Sequence, residues 1–581
     1  MLPDSPFVLL DDARPGGRAR LYADPVEIVE ARTEAEVHAA LERIRTSGRH
    51  AAGYLTYEAG AAFEPQGQAG SGSNTPLLWF GLFDGYREID VPALLPDPAG
   101  AWAGPAEPQI GRTRYGEQFA RVIDLIQAGD IYQANLTFRA AVRWAGAPAA
   151  LYALLRGRAS AGHGALVATG DRWLLSLSPE SFFSLDQGVL TARPMKGTAL
   201  RGATDAEDRI LAAELAADPK QRAENLMIVD LMRNDLGRVA RPGSVAVPQL
   251  FEVERYPTVH QMVSTVTARL ADGLDAIDAL AALFPCGSIT GAPKIRAMQV
   301  IGEVEGEPRN LYTGSIGRID PDGDASFNVA IRTLSIDSEG GSATLGLGSG
   351  VVADSQVDEE WAECLAKGAF VTAGETGFDL IETMAFDPEA GILLLERHLA
   401  RMKASAQRFG FSFDRHGVRN ELQAATFRLR DASRIRLLLA RSGAIAIGIA
   451  PMPESPAEPV PVAILPRTVA RHDFRLVHKT SRRDLYPKVP QAFETLYVDD
   501  EGFLTEGSFT SIFVERGGVL VTPPLSRGLL PGVLRGELLE TGRAIEGELR
   551  PEDLDGGFFI GNALRGLVTA VTFAHRTNRS V

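Results

Sequence analysis

The run Arg193-Pro194-Met195-Lys196-Gly197-Thr198 sets a lysine between a proline and a glycine, inside a block that extends to residue 372. Proline fixes φ and glycine admits tight turns, so Lys196 sits on a constrained, closely approachable backbone. An amine becomes a nucleophile only after losing its proton, which takes partial desolvation or a neighbouring cation such as Arg193. Taken alone, the pattern describes a solvated surface lysine more readily than a nucleophile. The 581 residues exceed what one hydrophobic core holds, so at least two domains are expected. Apolar residues make up 45% and charged residues 23%, ordinary globular usage that argues against extensive disorder. A net charge of −15 argues against a nucleic-acid partner and requires any anionic substrate to be held by a local cluster of Arg, Lys and backbone amides. Two cysteines, Cys286 and Cys364, imply no disulfide framework and fit a reducing compartment. The start has no basic segment followed by an apolar run, and no apolar stretch approaches the ~20 residues of a membrane span. A soluble cytoplasmic protein without membrane or nucleic-acid partners is expected.

Apolar spacing predicts a helix over 115–128 capped by Gly129, strands over 131–138 and 173–178, and helices over 204–236, 258–270 and 275–283. The Gly/Ser-rich 66–74 reads as a mobile loop. A Gly-laced strand over 345–353 feeds a helix over 358–371. Composition shifts at residues 373–377, which place a linker between blocks 1–372 and 378–581. In the second block, strands over 379–386 and 392–395 precede a helix over 396–409, and a further helix is expected over 531–542. The proline-rich stretch Pro451 to Pro461 reads as irregular, dividing subdomains of about 378–450 and 462–581.

On the helix over 358–371, Glu360, Glu363 and Lys367 share one face, and Glu224 opens another helix. Carboxylates from separate helices can hold Mg²⁺, which prefers few protein oxygens; Glu363 and Lys367 equally describe an exposed ion pair. Glu180, at a strand end, suits a general acid if burial raises its pKa. Spacing alone leaves these alternatives open.

Six segments resemble the chorismate-utilising enzymes, the family of anthranilate, aminodeoxychorismate, isochorismate and salicylate synthases. They are GDIYQANLTFR (129–139), SLSPESFF (176–183), RPMKGTALRG (193–202), AENLMIVDLMRNDLGRVARPGSV (223–245), FPCGSITGAPKIRAMQVI (284–301) and LGLGSGVVADSQVDEEWAECLAK (345–367), joined by YTGSIGRI (312–319) and FNVAIRT (327–333). The resemblance implies that Glu224, Glu360 and Glu363 carry Mg²⁺, and that Tyr312, Arg332, Lys367 and the backbone of Gly348, Ser349 and Gly350 bind substrate. It places His260 and Thr290 near the ring and its enolpyruvyl group, with His260 catalytic, and makes Glu180 the acid for the departing 4-hydroxyl. A lysine at 196 is similar to aminodeoxychorismate synthases, where the amine attacks C2 before ammonia adds at C4; anthranilate synthases usually have alanine there. Cys286 departs from the glycine usual at that position. Neither cysteine lies in a Gly-x-Cys-x-Gly elbow, so ammonia is expected from solution or from a separate glutamine amidotransferase subunit.

The second block resembles the fold-type IV pyridoxal-phosphate enzymes through FDLIETMAF (378–386), LERHLARMKASAQRFGF (395–411), VHKTSRRDLY (477–486), LTEGSFTSIFV (504–514), LLPGVLRGELLE (529–540) and FIGNALRGLVTAV (559–571). That resemblance makes Lys479 the Schiff-base lysine and Glu506 the partner of the pyridine nitrogen. Arg401 would bind the phosphate with backbone amides near Val533, Leu534, Thr510 and Ser511, and Thr383 is a candidate proton-relay hydroxyl. Modules of this type commonly pair as homodimers.

Together the two resemblances imply a two-sheet α/β sandwich followed by an α+β pyridoxal-phosphate domain of two subdomains. They imply consecutive chemistry: chorismate and ammonia to 4-amino-4-deoxychorismate, then loss of pyruvate to 4-aminobenzoate, toward folate. The alternative is an anthranilate- or isochorismate-type synthase fused to an aminotransferase, against which Lys196 argues. Lyase and transaminase are not separated by the motifs; fusion to a synthase favours the lyase.

Overall fold

In the computed structural model, residues 2–3, 6–66, 75–255, 259–337 and 341–573 are described. Most of the 66–74 loop lies outside them. The residues form two compact units, the first comprising Met1–Leu95, Pro105–Val142 and Tyr152–Ala373. The second comprises Gly374–Val581 together with Pro96–Gly104 and Arg143–Leu151. Two short segments from the first 372 residues therefore belong to the second unit, where the chain read as consecutive blocks had not put them.

The first unit is built on two sheets, each with ten strands among the described residues. Alternation along single strands shows how they are layered. In His50–Leu55, Ala52 and Tyr54 join a core with Val8, Tyr22, Val167 and Leu174 of the other sheet. Ala51 and Leu55 point the opposite way, into a core shared with the helices Glu34–Ser47, Pro219–Gly237 and Ala276–Leu283. The neighbouring strand Leu78–Phe83 repeats the division, with Trp79 and Phe83 toward the sheet partner and Leu78, Phe80 and Leu82 toward the helices. Two-residue periodicity thus produces a sandwich with a helical outer layer.

Two local expectations are corrected. The segment expected to be helical over 258–270 is the strand Val259–Arg269, paired on both sides with Met195–Leu200 and Ala246–Arg255. Its β-branched residues suit a strand, and burial on both faces removes the alternation that would have identified one. The expected 204–236 helix is two helices, Asp205–Ala217 and Pro219–Gly237. Asp218 divides them: Pro219 cannot continue a helix, and the Asp218 carboxylate caps the next one by accepting from Lys220 N and Gln221 N. No helix among the described residues is long and apolar enough to cross a membrane.

The second unit holds a four-stranded sheet carrying Leu380–Asp387 beside Ser433–Leu439, and an eight-stranded sheet centred on Gly566–Thr572 and Phe558–Asn562, with Val460–Pro466 next to the former. The proline-rich stretch is irregular only between them. Pro451 ends an edge strand, where a missing N–H costs no ladder bond, and Val460 and Pro461 open the next strand. The strand expected over 392–395 shrinks to Gly391–Ile392, and Leu395 already opens the helix Leu395–Phe409. That helix packs an aromatic cluster in which Phe409 lies 5.0 Å from Trp102 and 5.1 Å from Phe378, both edge-on. Phe409→Ala is expected to lose about 3–5 kcal/mol of unfolding free energy through the cavity it leaves, read as a lowered denaturant midpoint.

Candidate functional sites

In the first unit, Lys196 stands on Met195–Leu200 with Nζ 3.5 Å from Glu224 Oε2 of the helix Pro219–Gly237. Its backbone is fixed from behind, since Asn225 Nδ2 donates to Lys196 O at 3.2 Å and Gln261 Nε2 to Gly197 O at 2.8 Å. Gly197 has φ +103°, which a side chain would strain. A Cβ on Gly350 would lie 3.2 Å from Lys196 Nζ, so glycine there leaves space for the amine.

Glu180 is buried at the end of Arg172–Ser178, and its Oε1 accepts the Ser288 hydroxyl at 2.8 Å. Burial pushes its pKa up to about 7, opposed by the Ser288 bond and by the charges of Lys367 and Lys196. Cys286 packs behind Ser288, Sγ to Oγ 3.2 Å, and burial raises that thiol to about 12. Lys367 Nζ bridges Gly348 O at 2.9 Å and Glu363 Oε1 at 2.7 Å. Burial raises the Glu363 pKa, but Lys367 and Lys196 more than offset it and keep the carboxylate ionised.

The remaining expected residues divide. Arg332 has the left-handed φ of +49°, and its carbonyl accepts Leu177 N at 3.0 Å. Such strain is maintained where surrounding structure demands it, often at sites. Ser349 is buried with its hydroxyl 3.4 Å from Tyr115 OH. Thr290 turns its hydroxyl onto Gly287 O at 3.1 Å. Tyr312 lines a cavity of about 300 Å³ with Thr137, Thr333 and Gly346, and Lys196 and Glu180 do not line it. His260 Nε2 lies 2.8 Å from Asp208 Oδ1, in a buried cluster where Arg201, then the Gly202 amide and His260, hold the Asp208 carboxyl well below the usual range. Its described contacts lead to that cluster.

Glu224, Glu360 and Glu363 supply carboxylate oxygens suited to Mg²⁺; Glu224 lies 3.5 Å from the Lys196 amine, whose charge also acts on Glu363. They are not assembled here: Glu360 Oε1 accepts Ser355 Oγ at 2.6 Å while lysines hold the other two. Among the described residues no group of three or more His, Cys, Asp and Glu could hold a metal.

In the second unit, Lys479 follows the short helix Phe474–Val477, and its carbonyl accepts Ile381 N at 2.9 Å. Burial lowers its pKa to about 8, aided by Arg401, Arg483 and Arg436 and opposed by Glu382. Buried Glu506 accepts Tyr486 OH at 2.7 Å and Leu530 N at 3.0 Å, and burial raises it to about 7 against those bonds. Thr383 lies opposite Arg436 on the adjacent strand. Arg401, expected on a phosphate, grips Glu382 through Nε at 2.8 Å and Nη2 at 2.6 Å and donates Nη1 to Pro531 O at 3.0 Å. Burial raises the Glu382 pKa, yet Arg401 and His398 bring it down to about 2. The Thr510 hydroxyl donates to Glu494 Oε2 at 2.7 Å, which leaves only its backbone for an anion.

These residues fit pyridoxal phosphate: an amine with a lowered pKa, a buried acid and an arginine beside Pro531. The helix Val533–Glu540 starts with no side-chain cap, leaving the Val533 and Leu534 amides for an anion. A Cβ on its N-cap Gly532 would meet Ser511 Oγ at 2.6 Å. Sequence reading missed Ser288, Asp208, Tyr486, Arg483 and Glu494. Ser288 and Tyr486 lie inside the quoted motifs, but Glu494 and Asp208 carry no local signal.

Glu180 binds its proton more tightly folded than unfolded, so the stability it contributes is full below the ordinary carboxylate range and lost as pH rises through about 7. Glu180→Gln should remove roughly 3 kcal/mol of the stability loss between about pH 5 and about pH 8, measured by urea unfolding of the first unit.

Residues 6–373 match the family model for chorismate binding enzyme, and residues 379–572 that for amino-transferase class IV. Over 258 residues the chain is 46% identical to aminodeoxychorismate synthase component 1 of Klebsiella aerogenes, covering 44% of this chain and 57% of that protein. The chain thus spans little more than half of that relative's length. It is 35% identical over 336 residues to anthranilate synthase component 1 of Methanothermobacter marburgensis, covering 54% of this chain and 72% of that one. Anthranilate synthase component I from Streptococcus pneumoniae TIGR4 shares the fold with a TM-score of 0.54 at 27% identity, covering 64% of this chain and 93% of that one. The chain belongs to the chorismate binding enzymes, and behind that match it carries an amino-transferase class IV domain.

Proposed function

We propose that the first 372 residues convert chorismate and ammonia to 4-amino-4-deoxychorismate, and that the domain after the 373–377 linker eliminates pyruvate from it to give 4-aminobenzoate. The observation that carries the reading is Lys196 set among Glu224, Glu363 and Gly350 with the neutral-range acid Glu180 acting on the same site. The relatives named aminodeoxychorismate synthase component 1 support it, and that name supports a partner subunit, a glutamine amidotransferase, as the ammonia source.

In this reading the neutral Lys196 amine bonds to C2 as the ring double bond shifts, and the 4-hydroxyl leaves as water with the proton of Glu180. Ammonia then bonds to C4 and the lysine departs from C2 with the shifted electrons reversed. The net change replaces one hydroxyl with one amine and releases one water. A carboxyl whose pKa burial pushes up to about 7 holds its proton far closer to neutral pH than an exposed one, so it can both give and regain it. Ser288 fixes which oxygen of Glu180 stays hydrogen-bonded, leaving the other for substrate. Lys367, Arg332 and the backbone of Gly348, Ser349 and Gly350 would meet the substrate carboxylates. Glu224, Glu360 and Glu363 would hold Mg²⁺, which when bound neutralises the ring carboxylate.

An amino-transferase class IV domain implies pyridoxal phosphate, which when bound supplies an electron sink. Arg401, the Val533 and Leu534 amides and the Thr510–Ser511 turn would hold its phosphate, and Glu506 its ring nitrogen. Lys479, at about 8, is close enough to neutrality to take the proton from the carbon bearing the amine. Enolpyruvate leaves from the adjacent carbon and the ring becomes aromatic. Thr383 would relay protons to that site. A homodimer through this domain and a cytoplasmic setting belong to the same reading.

Lys196→Ala should cut aminodeoxychorismate formation by at least about a thousandfold while pyruvate release from supplied aminodeoxychorismate continues. Unchanged synthesis in that variant would refute the covalent role. Lys479→Ala should accumulate aminodeoxychorismate, seen by chromatography of products from chorismate and ammonium; undiminished 4-aminobenzoate would rule out the lyase assignment.

A further inference from the structure

Among the buried side-chain nitrogens without a hydrogen-bond partner is Nη1 of Arg483. The rest of that side chain is pinned. Nη2 donates to Ser508 O at 2.9 Å, and the guanidinium carbon lies 4.6 Å from the centre of the Tyr486 ring. Tyr486 itself donates to Glu506 Oε1 at 2.7 Å. One arm of the guanidinium fork is therefore anchored on Ser508, the group also acts on the Tyr486 phenol, and Nη1 has no hydrogen-bond partner, four residues along the chain from Lys479. A buried guanidinium N–H with nothing to donate to is unfavourable unless a ligand completes it.

The charges around this position limit what the ligand can be. Arg401, Arg436 and Arg483 act as cations on Lys479, opposed by Glu382. On the other side Arg483 acts on Glu506, which Glu494 and Arg467 also neighbour. Both carboxylates are already engaged, Glu382 by Arg401 and His398, and Glu494 by Ser508 and Thr510. Around Lys479 three guanidiniums therefore act against one carboxylate, Glu382, which Arg401 and His398 already hold.

We infer that Arg483 donates its Nη1 N–H to an anionic oxygen of the ligand held between Lys479 and Glu506, an inference that rests on the pyridoxal-phosphate reading of this domain. The oxygen has two sources of the same chemistry: the ring hydroxylate of the cofactor and a carboxylate of the amino substrate. A planar guanidinium suits either, because the charge-assisted bond is strong and the fork sets its direction.

The test compares wild-type holoprotein with Arg483→Gln and Arg483→Lys. The lysine variant keeps the charge and loses the fork, and stands in if the glutamine variant does not fold. Three quantities are measured: the dissociation constant of pyridoxal phosphate, the pH midpoint of the bound cofactor's visible band, and KM and kcat for aminodeoxychorismate. If the ring hydroxylate is the partner, cofactor affinity falls about tenfold or more and the band midpoint moves, with KM little changed. If a substrate carboxylate is the partner, band and cofactor affinity stay as in wild type and KM rises about tenfold or more, with a smaller effect on kcat. Both variants matching wild type in all three quantities overturns the inference. Wild-type protein that takes up no cofactor overturns the reading beneath it, an outcome distinct from unaltered variants of a loaded enzyme.

Discussion

Desolvation of a few ionisable groups is the constraint on which both sites depend. Glu180, Glu506 and Lys479 are each removed from water, and each is shifted toward neutrality, the acids upward and the amine downward. In each case only part of the lost hydration is replaced. Glu180 has one hydroxyl on Oε1, and Glu506 has one phenol and one amide. Glu382 is the contrast: also buried, it is gripped by Arg401 and His398, and its pKa falls to about 2. Burial alone does not make a proton donor; burial with too few partners does.

The scaffold maintains this imbalance by using backbone to position side chains. Glu180 follows a buried strand end where the Ser178 hydroxyl accepts Glu180 N and donates to Val329 O at 2.6 Å, which fixes the backbone that carries the carboxyl. Lys196 is fixed through its own carbonyl and that of Gly197, leaving the amine to meet Glu224. On Lys479 the fixing bond runs from Ile381 N, which ties the lysine to the strand that carries Glu382 and Thr383. Arg332 is likewise held through its backbone, with a left-handed φ and a carbonyl that accepts Leu177 N.

Much of the arrangement was legible along the chain because chemistry-bearing residues sit in compact runs. The lysine between Pro194 and Gly197, the acid after Pro179 and the lysine at 479 were all named from sequence, and the structure gives each a shifted pKa or a charged partner. Strand Val259–Arg269 was misread because a strand buried on both faces has no polar alternation to show. The long helix over 204–236 was misread because the break at Asp218-Pro219, where the aspartate caps a second helix, was passed over. Segments Pro96–Gly104 and Arg143–Leu151 were assigned to the first block because nothing local marks which core Trp102 enters.

By itself the sequence determined which groups are available and in what order: two lysines, several carboxylates, an arginine ahead of Lys479, and glycines where backbone must leave space. Residue type and near-neighbour spacing carry that information. Tertiary structure decided how those groups are paired. It put His260 on Asp208, Arg401 on Glu382, Thr510 on Glu494 and Ser288 on Glu180, and left Nη1 of Arg483 without a hydrogen-bond partner. Those partners lie far apart in sequence, and a proton affinity depends on distance and burial, which exist only once the chain has folded.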